Sequence, residues 1–87
     1  MDDEVMAFRA NNANVVFRWD GNTYLTISIS RLLFFPWELI RGWRGIESLR
    51  VTADKRGTLV EFVFDEKFSA REAYEGLCDK YRKGFDN

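Results

Sequence analysis

Arginine and tryptophan are the side chains best suited to chemistry in this sequence, and they meet in residues 41–44, Arg-Gly-Trp-Arg. The indole ring can bury apolar surface, and the two guanidinium groups beside it can bind an acidic group. Trp and Arg are also the residue types that dominate the hot spots of protein interfaces. The same pair can stack on nucleic-acid bases and hold phosphates. The pattern therefore indicates binding of a protein or of a nucleic acid.

A wider basic segment, residues 31–56, surrounds this tetrapeptide. It holds six basic and three acidic residues, whereas the whole 87-residue chain has a net charge of −1. A chain without a strong overall positive field is not expected to attract nucleic acid non-specifically. We define the predicted aromatic/arginine surface as the candidate binding residues of this segment, Arg31, Arg41, Trp43, Arg44, Arg50 and Arg56.

Catalytic equipment is sparse. The chain has no histidine, so the usual general base and the commonest metal ligand are missing. Asp65 and Glu66 are adjacent at the end of a predicted strand, where neighbouring side chains point to opposite faces and cannot form a facing acid–base pair. We therefore predict that the chain is not an enzyme and that it uses no cofactor and no metal.

The remaining composition bears on location. A single cysteine, Cys78, excludes an internal disulfide and a cysteine-based metal cage. No apolar run approaches the roughly 18 residues of a membrane-spanning helix. The first residues, MDDEVMAF, are acidic and lack the basic and apolar regions of a signal peptide. We expect a cytoplasmic protein without a membrane span.

The first element that must position these residues is a β-hairpin over residues 15–30. Apolar residues alternate with polar ones on both sides of Asp20-Gly21, a dipeptide typical of a two-residue type I′ turn. Residues 5–8 could add a short edge strand. The predicted core face of the hairpin consists of Val15, Phe17, Trp19, Leu25, Ile27 and Ile29.

A second hairpin is predicted over residues 48–65, with residues 54–57 as its turn and Gly57 at the position that favours a left-handed conformation. Val60, Phe62 and Phe64 share one face of its return strand. Apolar residues also occupy part of the other face, so we expect this strand to lie at the centre of the sheet.

An amphipathic C-terminal helix is predicted over residues 69–83. Ser69 and Glu72 have the spacing of a capping box, and Gly84 is suited to end the helix. The residues that recur at helical spacing on one apolar stripe are Ala70, Ala73, Tyr74, Leu77, Cys78 and Tyr81.

The segment between the hairpins leaves two architectures open. A helix from Pro36 to Trp43 could carry both tryptophans on one face and would give a β-β-α-β-β-α order, an α+β domain in which the C-terminal helix packs on one face of an antiparallel sheet. We expect the apolar residues of this segment, Phe34, Trp37 and Ile40, to lie mainly in the core. Alternatively, residues 32–35 continue as a strand that Pro36 ends, and the sheet is a strongly bent meander capped by the C-terminal helix. We favour the first, with residues 1–87 as one domain and residues 1–4 as a flexible acidic tail.

Two resemblances bear on function. Residues 55–62, KRGTLVEF, followed by residues 69–77, resemble the third strand and second helix of an RNA recognition motif, which implies RNA binding on the sheet. Gly57 and Leu59 stand where that family carries its base-stacking aromatics, and no final strand follows the helix. The order of strand meander, Pro-Trp start, last hairpin and terminal helix is similar to small pleckstrin-homology-like domains, which implies the bent meander.

The function that these observations predict is binding. We expect a non-enzymatic protein-interaction module or small regulatory protein that binds another protein through the aromatic/arginine surface. Its partner could also be a second copy of the chain, bound through an edge strand or the aromatic segment. The alternative is an RNA or single-stranded DNA-binding domain that uses the basic aromatic residues 31–56.

Overall fold

Five antiparallel strands in one open sheet and a C-terminal helix form the fold in the computed structural model, which describes residues 4–10, 12–30 and 37–84. The strands lie side by side in the order β1-β2-β3-β5-β4, so β1 and β4 are the two edges. In chain order the elements are β1 (Glu4–Ala10), β2 (Ala13–Trp19), β3 (Tyr24–Ser30), a 3₁₀ helix (Trp37–Ile40), β4 (Ile46–Asp54), β5 (Gly57–Phe64) and α1 (Lys67–Gly84).

The core lies between α1 and one face of the three central strands, β2, β3 and β5. Alternate side chains of these strands are buried there, which confirms the predicted core positions: Val15, Phe17, Trp19, Leu25, Ile27, Ile29, Val60, Phe62 and Phe64. The helix contributes Ala70, Ala73, Tyr74 and Leu77. Each large apolar side chain buried in this way stabilises the fold by about 1.5–3 kcal/mol. We call this side of the sheet the covered face and the other side the open face.

The turn between β2 and β3 is longer than the predicted two-residue turn. Trp19 ends β2 and Tyr24 begins β3, so residues 20–23 connect them. The Asp20 carboxylate closes this loop because its Oδ1 accepts hydrogen bonds from the backbone N–H of Asn22, at 2.7 Å, and of Tyr24, at 3.2 Å. The buried indole of Trp19 donates to the carbonyl of Asn22 at 2.9 Å. The side-chain bonds of Asp20 and Trp19 therefore replace the tight turn that Asp-Gly suggested.

The predicted strand and helix order is only partly correct. Glu4, which the sequence assigned to a flexible tail, begins β1, and β1 is a full fifth strand beside β2. A 3₁₀ helix over Trp37–Ile40 stands in place of the predicted α-helix from Pro36 to Trp43. Gly42, at φ +89°, follows it in a conformation that an α-helix cannot contain. The open sheet does not confirm the strongly bent alternative, and residues 31–36 lie outside the described residues.

The start of α1 also differs from the prediction. The helix begins at Lys67, so Ser69 lies inside its first turn and is not the N-cap. Its hydroxyl donates to Oε1 of Glu66 at 3.4 Å, and the first helical backbone bond runs from Ala70 N–H to the Glu66 carbonyl. Glu66, directly before the helix, therefore takes the place that the predicted capping box gave to Ser69.

Gly57 marks the closest approach of β3 and β5. It lies opposite Ser30 with φ +144°, and an added Cβ would collide with the Ile29 carbonyl oxygen and lie 2.7 Å from the Ser30 Cα. We expect Gly57→Ala to lower the free energy of unfolding by more than about 1 kcal/mol, measured by urea denaturation.

Gly76 in α1 provides the matched control for this substitution. A Cβ added there meets no atom of the described residues within 4 Å. We expect Gly76→Ala to raise the free energy of unfolding by about 0.5–1 kcal/mol, because alanine loses less backbone entropy in a helix. Equal effects of the two substitutions would show that the β3–β5 approach is not tight at Gly57.

Candidate functional site

Residues 41–45 form a loop that lies along α1. Backbone bonds from Arg41 N–H to the Glu38 carbonyl, 3.3 Å, and from Trp43 N–H to the Ile40 carbonyl, 3.1 Å, fold the loop back onto the 3₁₀ helix. At its other end, the Asp65 N–H donates to the Gly45 carbonyl at 2.7 Å. The backbone of the loop is thereby hydrogen-bonded at both of its ends.

Trp43 joins this loop to the core. Its half-buried indole packs against the rings of Phe62, at a centroid distance of 5.0 Å and 64° between the planes, and Phe64, at 5.9 Å. Such edge-to-face pairs are worth about 0.5–1.5 kcal/mol beyond the burial of area. Much of the ring is therefore engaged within the protein, while Arg41 and Arg44 on either side are exposed.

A shallow groove of about 190 Å³ separates the loop from α1. It is open because two glycines face it: a Cβ placed at Gly42 or at Gly76 would meet no described atom within 4 Å. Its lining combines apolar surface with one basic and one acidic residue. The lining residues are Gly42, Trp43 and Arg44 from the loop and Ser69, Glu72, Ala73 and Gly76 from α1.

The predicted site residues do not form one continuous surface. Arg41, Trp43 and Arg44 lie together in the loop. Arg50 is on the open face of the sheet, opposite Glu61 of β5. Arg56 is in the β4–β5 turn, at the far end of that hairpin, where it lines a separate depression with Asp54 and Ser30 among others. Arg31 lies outside the described residues.

The sequence did not predict the exposure of two aromatic residues, Phe68 in the first turn of α1 and Trp37 in the 3₁₀ helix. Trp37, assigned to the core with Phe34 and Ile40, is 48% exposed. The prediction aligned it with Trp43 on a continuous α-helix, and that alignment fails because the chain leaves helical geometry at Gly42. The positive φ that glycine permits was the signal in the sequence that could have indicated this. We define the loop surface as Trp37, Arg41, Trp43 and Arg44.

A second polar cluster lies on the open face. The Tyr24 hydroxyl donates a short hydrogen bond to Oε2 of Glu61, and Arg50 lies opposite Glu61 on the other side. The hydrogen bond to this carboxylate, together with burial and the negative charge, raises the pKa of the Tyr24 phenol. Together with neighbouring residues such as Ser48, this cluster lines a depression of about 320 Å³ on the open face.

The residues that the structure describes contain no group of three or more Cys, Asp and Glu side chains placed to hold a metal ion. Their helices include none that is long and apolar enough to cross a membrane. Cys78 is half-buried on α1. The predicted cytoplasmic location stays a prediction.

The Tyr24–Glu61 bond generates a prediction about pH. Because the folded-state pKa of Tyr24 is raised above the unfolded value of about 10, its contribution to stability is complete below that pH and is lost as pH rises through the folded pKa. We expect Tyr24→Phe to cost about 1 kcal/mol at neutral pH. The variant should also lose less stability than the wild type between about pH 8 and pH 11.

Urea denaturation at the two pH values measures this difference. Tyr81→Phe is the comparison variant: the pKa of Tyr81 is also raised, chiefly by burial with a smaller contribution from Glu38, so it too should lose less stability than the wild type as pH rises, although it keeps the Tyr24–Glu61 bond. If the wild type and Tyr24→Phe lost the same amount of stability between the two pH values, the assignment of this pH dependence to Tyr24 would be contradicted.

Comparison with known proteins adds no assignment to this geometry. No protein-family model, no curated protein and no solved structure matches the chain. The resemblances to RNA recognition motifs and to pleckstrin-homology-like domains therefore remain resemblances. A function for this chain has to be argued from the loop surface, the groove and the sheet themselves.

Proposed function

We propose that this chain is a non-enzymatic protein-interaction module that binds a partner protein through the loop surface and the adjoining groove. The observation that carries the proposal is the groove itself, which Gly42 and Gly76 leave open between the loop and α1. The site is narrower than the aromatic/arginine surface predicted from the sequence, because Arg50 and Arg56 lie elsewhere.

The composition of the groove suits a protein ligand. Trp43 and Ala73 give it apolar surface, and Arg44 and Glu72 stand on its two sides. Interface hot spots are typically small, desolvated pockets that receive one anchoring side chain and are surrounded by polar contacts that exclude water. The volume of this groove is on the scale of one large side chain. Exposed Arg41 and Arg44 favour a partner segment in which an apolar anchor is flanked by acidic residues.

Gly76 supports this interpretation energetically. Glycine in the interior of a helix costs about 1 kcal/mol relative to alanine. Close packing would explain this cost, but nothing among the described residues approaches the position. A role in keeping the groove accessible offers an explanation that packing does not.

Nucleic-acid binding, the alternative from the sequence, finds less support in the arrangement. The indole of Trp43 is engaged with Phe62 and Phe64, and the predicted Arg50 and Arg56 lie elsewhere in the fold. A surface with so few phosphate contacts would show a shallow salt dependence. The alternative is retained as an outcome of the experiment below.

The experiment begins with a photo-reactive amino acid at position 44, and at exposed Lys80 of α1 as a control. We expect a discrete protein adduct from position 44 in cells that produce the chain, and none from position 80. The captured protein is then purified and its affinity for the chain is measured by calorimetry. Adducts that disappear on nuclease treatment, or a position 44 that captures only nucleic acid, would overturn the proposal.

Substitutions in the groove test the same proposal quantitatively. We expect Gly76→Leu, which fills the groove, and the double substitution Arg41→Ala with Arg44→Ala each to weaken binding of the captured protein at least tenfold, about 1.4 kcal/mol. Arg18→Ala, an exposed arginine of the open face, should leave the affinity unchanged. A Gly76→Leu variant that is stably folded and binds normally would contradict the groove as the site.

A further inference from the structure

The outer edge of β4 is a second place where this fold can accept a partner. Within the described residues, β4 pairs only with β5 and ends the sheet. Its residues from Glu47 to Asp54 are all exposed. An edge strand presents a row of unpaired backbone N–H and C=O groups and is a template for pairing with another strand.

This edge also carries apolar side chains. Leu49 and Val51 pair with Phe62 and Val60, so they are on the covered face of the sheet. They are nevertheless 39% and 42% exposed, because α1 packs mainly on β2, β3 and β5. The apolar surface of the covered face therefore continues beyond α1 to the β4 edge of the sheet.

A β-bulge limits the part of β4 that can pair. Ile46 lies opposite Phe64 and Ser48 opposite the adjacent Val63, so Glu47 is the extra residue. Bulges twist and interrupt a strand edge. The regular run is therefore Ser48–Asp54, and its central residue is Val51.

We propose that two copies of this chain associate through antiparallel pairing of their β4 edges about a two-fold axis at Val51, so that their sheets become continuous. This surface differs from the loop surface, so the inference does not depend on the proposed function. The axis at Val51 is the one register that pairs the whole regular run of β4 with itself.

The side chains are complementary in this register. On the covered face, Leu49 lies opposite Ala53 of the second copy, and the two Val51 residues face each other. On the open face, Arg50 lies opposite Thr52 of the second copy, and the two diagonal positions hold Asp54 and Arg50 of that copy. Apolar pairs of this kind, and opposite charges at such separations, stabilise neighbouring strands.

Neighbouring registers are less favourable. An axis at Arg50 places the two guanidinium groups directly opposite each other, and like charges so placed are destabilising. An axis at Leu49 sets Val51 against Glu47 of the bulge. An axis at Thr52 removes Leu49 from the paired run and places it against Lys55 of the turn.

The other edge of the sheet is less suited to self-pairing. Val5 of β1 is 48% exposed, but pairing of β1 with itself about its central Ala7 sets Val5 opposite Arg9. Pairing of β1 with β4 of another copy would leave one free edge at each end and would continue into open chains of molecules. A closed dimer through β4 avoids that outcome.

Charge substitutions at the proposed axis test both the dimer and its register. Sedimentation velocity and light scattering over a range of protein concentrations should give twice the chain mass for the wild type. Val51→Lys and Val51→Glu, at an exposed position, should each give the chain mass, because like charges then face each other across the axis. An equimolar mixture of the two variants should restore the dimer.

The controls separate this inference from its competitors. Val5→Lys on β1 should remain dimeric, and far-ultraviolet circular dichroism should show that every variant is folded. A wild type that is monomeric at all concentrations, a dimer that Val5→Lys dissociates, or a mixture that stays monomeric would overturn the proposal. Binding of the groove partner should be the same in Val51→Lys as in the wild type, so failure of either proposal is recognised independently.

Discussion

The burial of alternate side chains from β2, β3 and β5 beneath α1 is the constraint on which the rest of this structure depends. A domain of this size buries only about 60% of the surface that its unfolded chain exposes, so one layer of core must supply most of the stability. One helix covers three strands and leaves β1 and β4 at its margins. The exposed Leu49 and Val51, and the loop that must run alongside α1, are direct results of this partial cover.

Trp43 contributes to the core and also belongs to the proposed binding site. Its ring extends the aromatic cluster of Phe62 and Phe64, whose own centroids are 6.3 Å apart, and it also forms one side of the groove. The groove therefore has a rigid apolar wall, since a ring packed on the core has few rotamers available. The opposite wall belongs to α1, which the core holds in place through Ala73 and Leu77. A site whose two walls are both fixed by packing loses little entropy when a ligand enters.

The period-two pattern was sufficient to predict β2, β3 and β5 and their buried residues, because burial on one face imposes alternation directly. In β4 the same alternation includes Leu49 and Val51, which are exposed. The existence of α1 was also predicted from the sequence, although the residue at which it begins was not. The order of the strands could not be predicted from the sequence, because β3 pairs with β5 through contacts between residues far apart in the chain. Tyr24 and Glu61, for example, are 37 residues apart. The groove was inaccessible to sequence reasoning because Gly42 and Gly76 belong to different elements. The separate positions of Arg50 and Arg56 could not be predicted either, because they depend on strand register and on the end of the hairpin at which the turn lies.

The pairing of β3 with β5 has a consequence for how this chain folds. The β1–β2–β3 meander and the β4–β5 hairpin each join strands that are adjacent in sequence, and both can form early at little cost in loop entropy. The centre of the sheet requires Ser30 to meet Gly57, which closes a loop over everything between them. The entropy cost of closing such a loop arises before the contacts that compensate for it have formed. Non-local pairing of this kind therefore slows folding. The segment that carries most of the proposed binding residues is therefore the loop whose closure joins the two halves of the molecule.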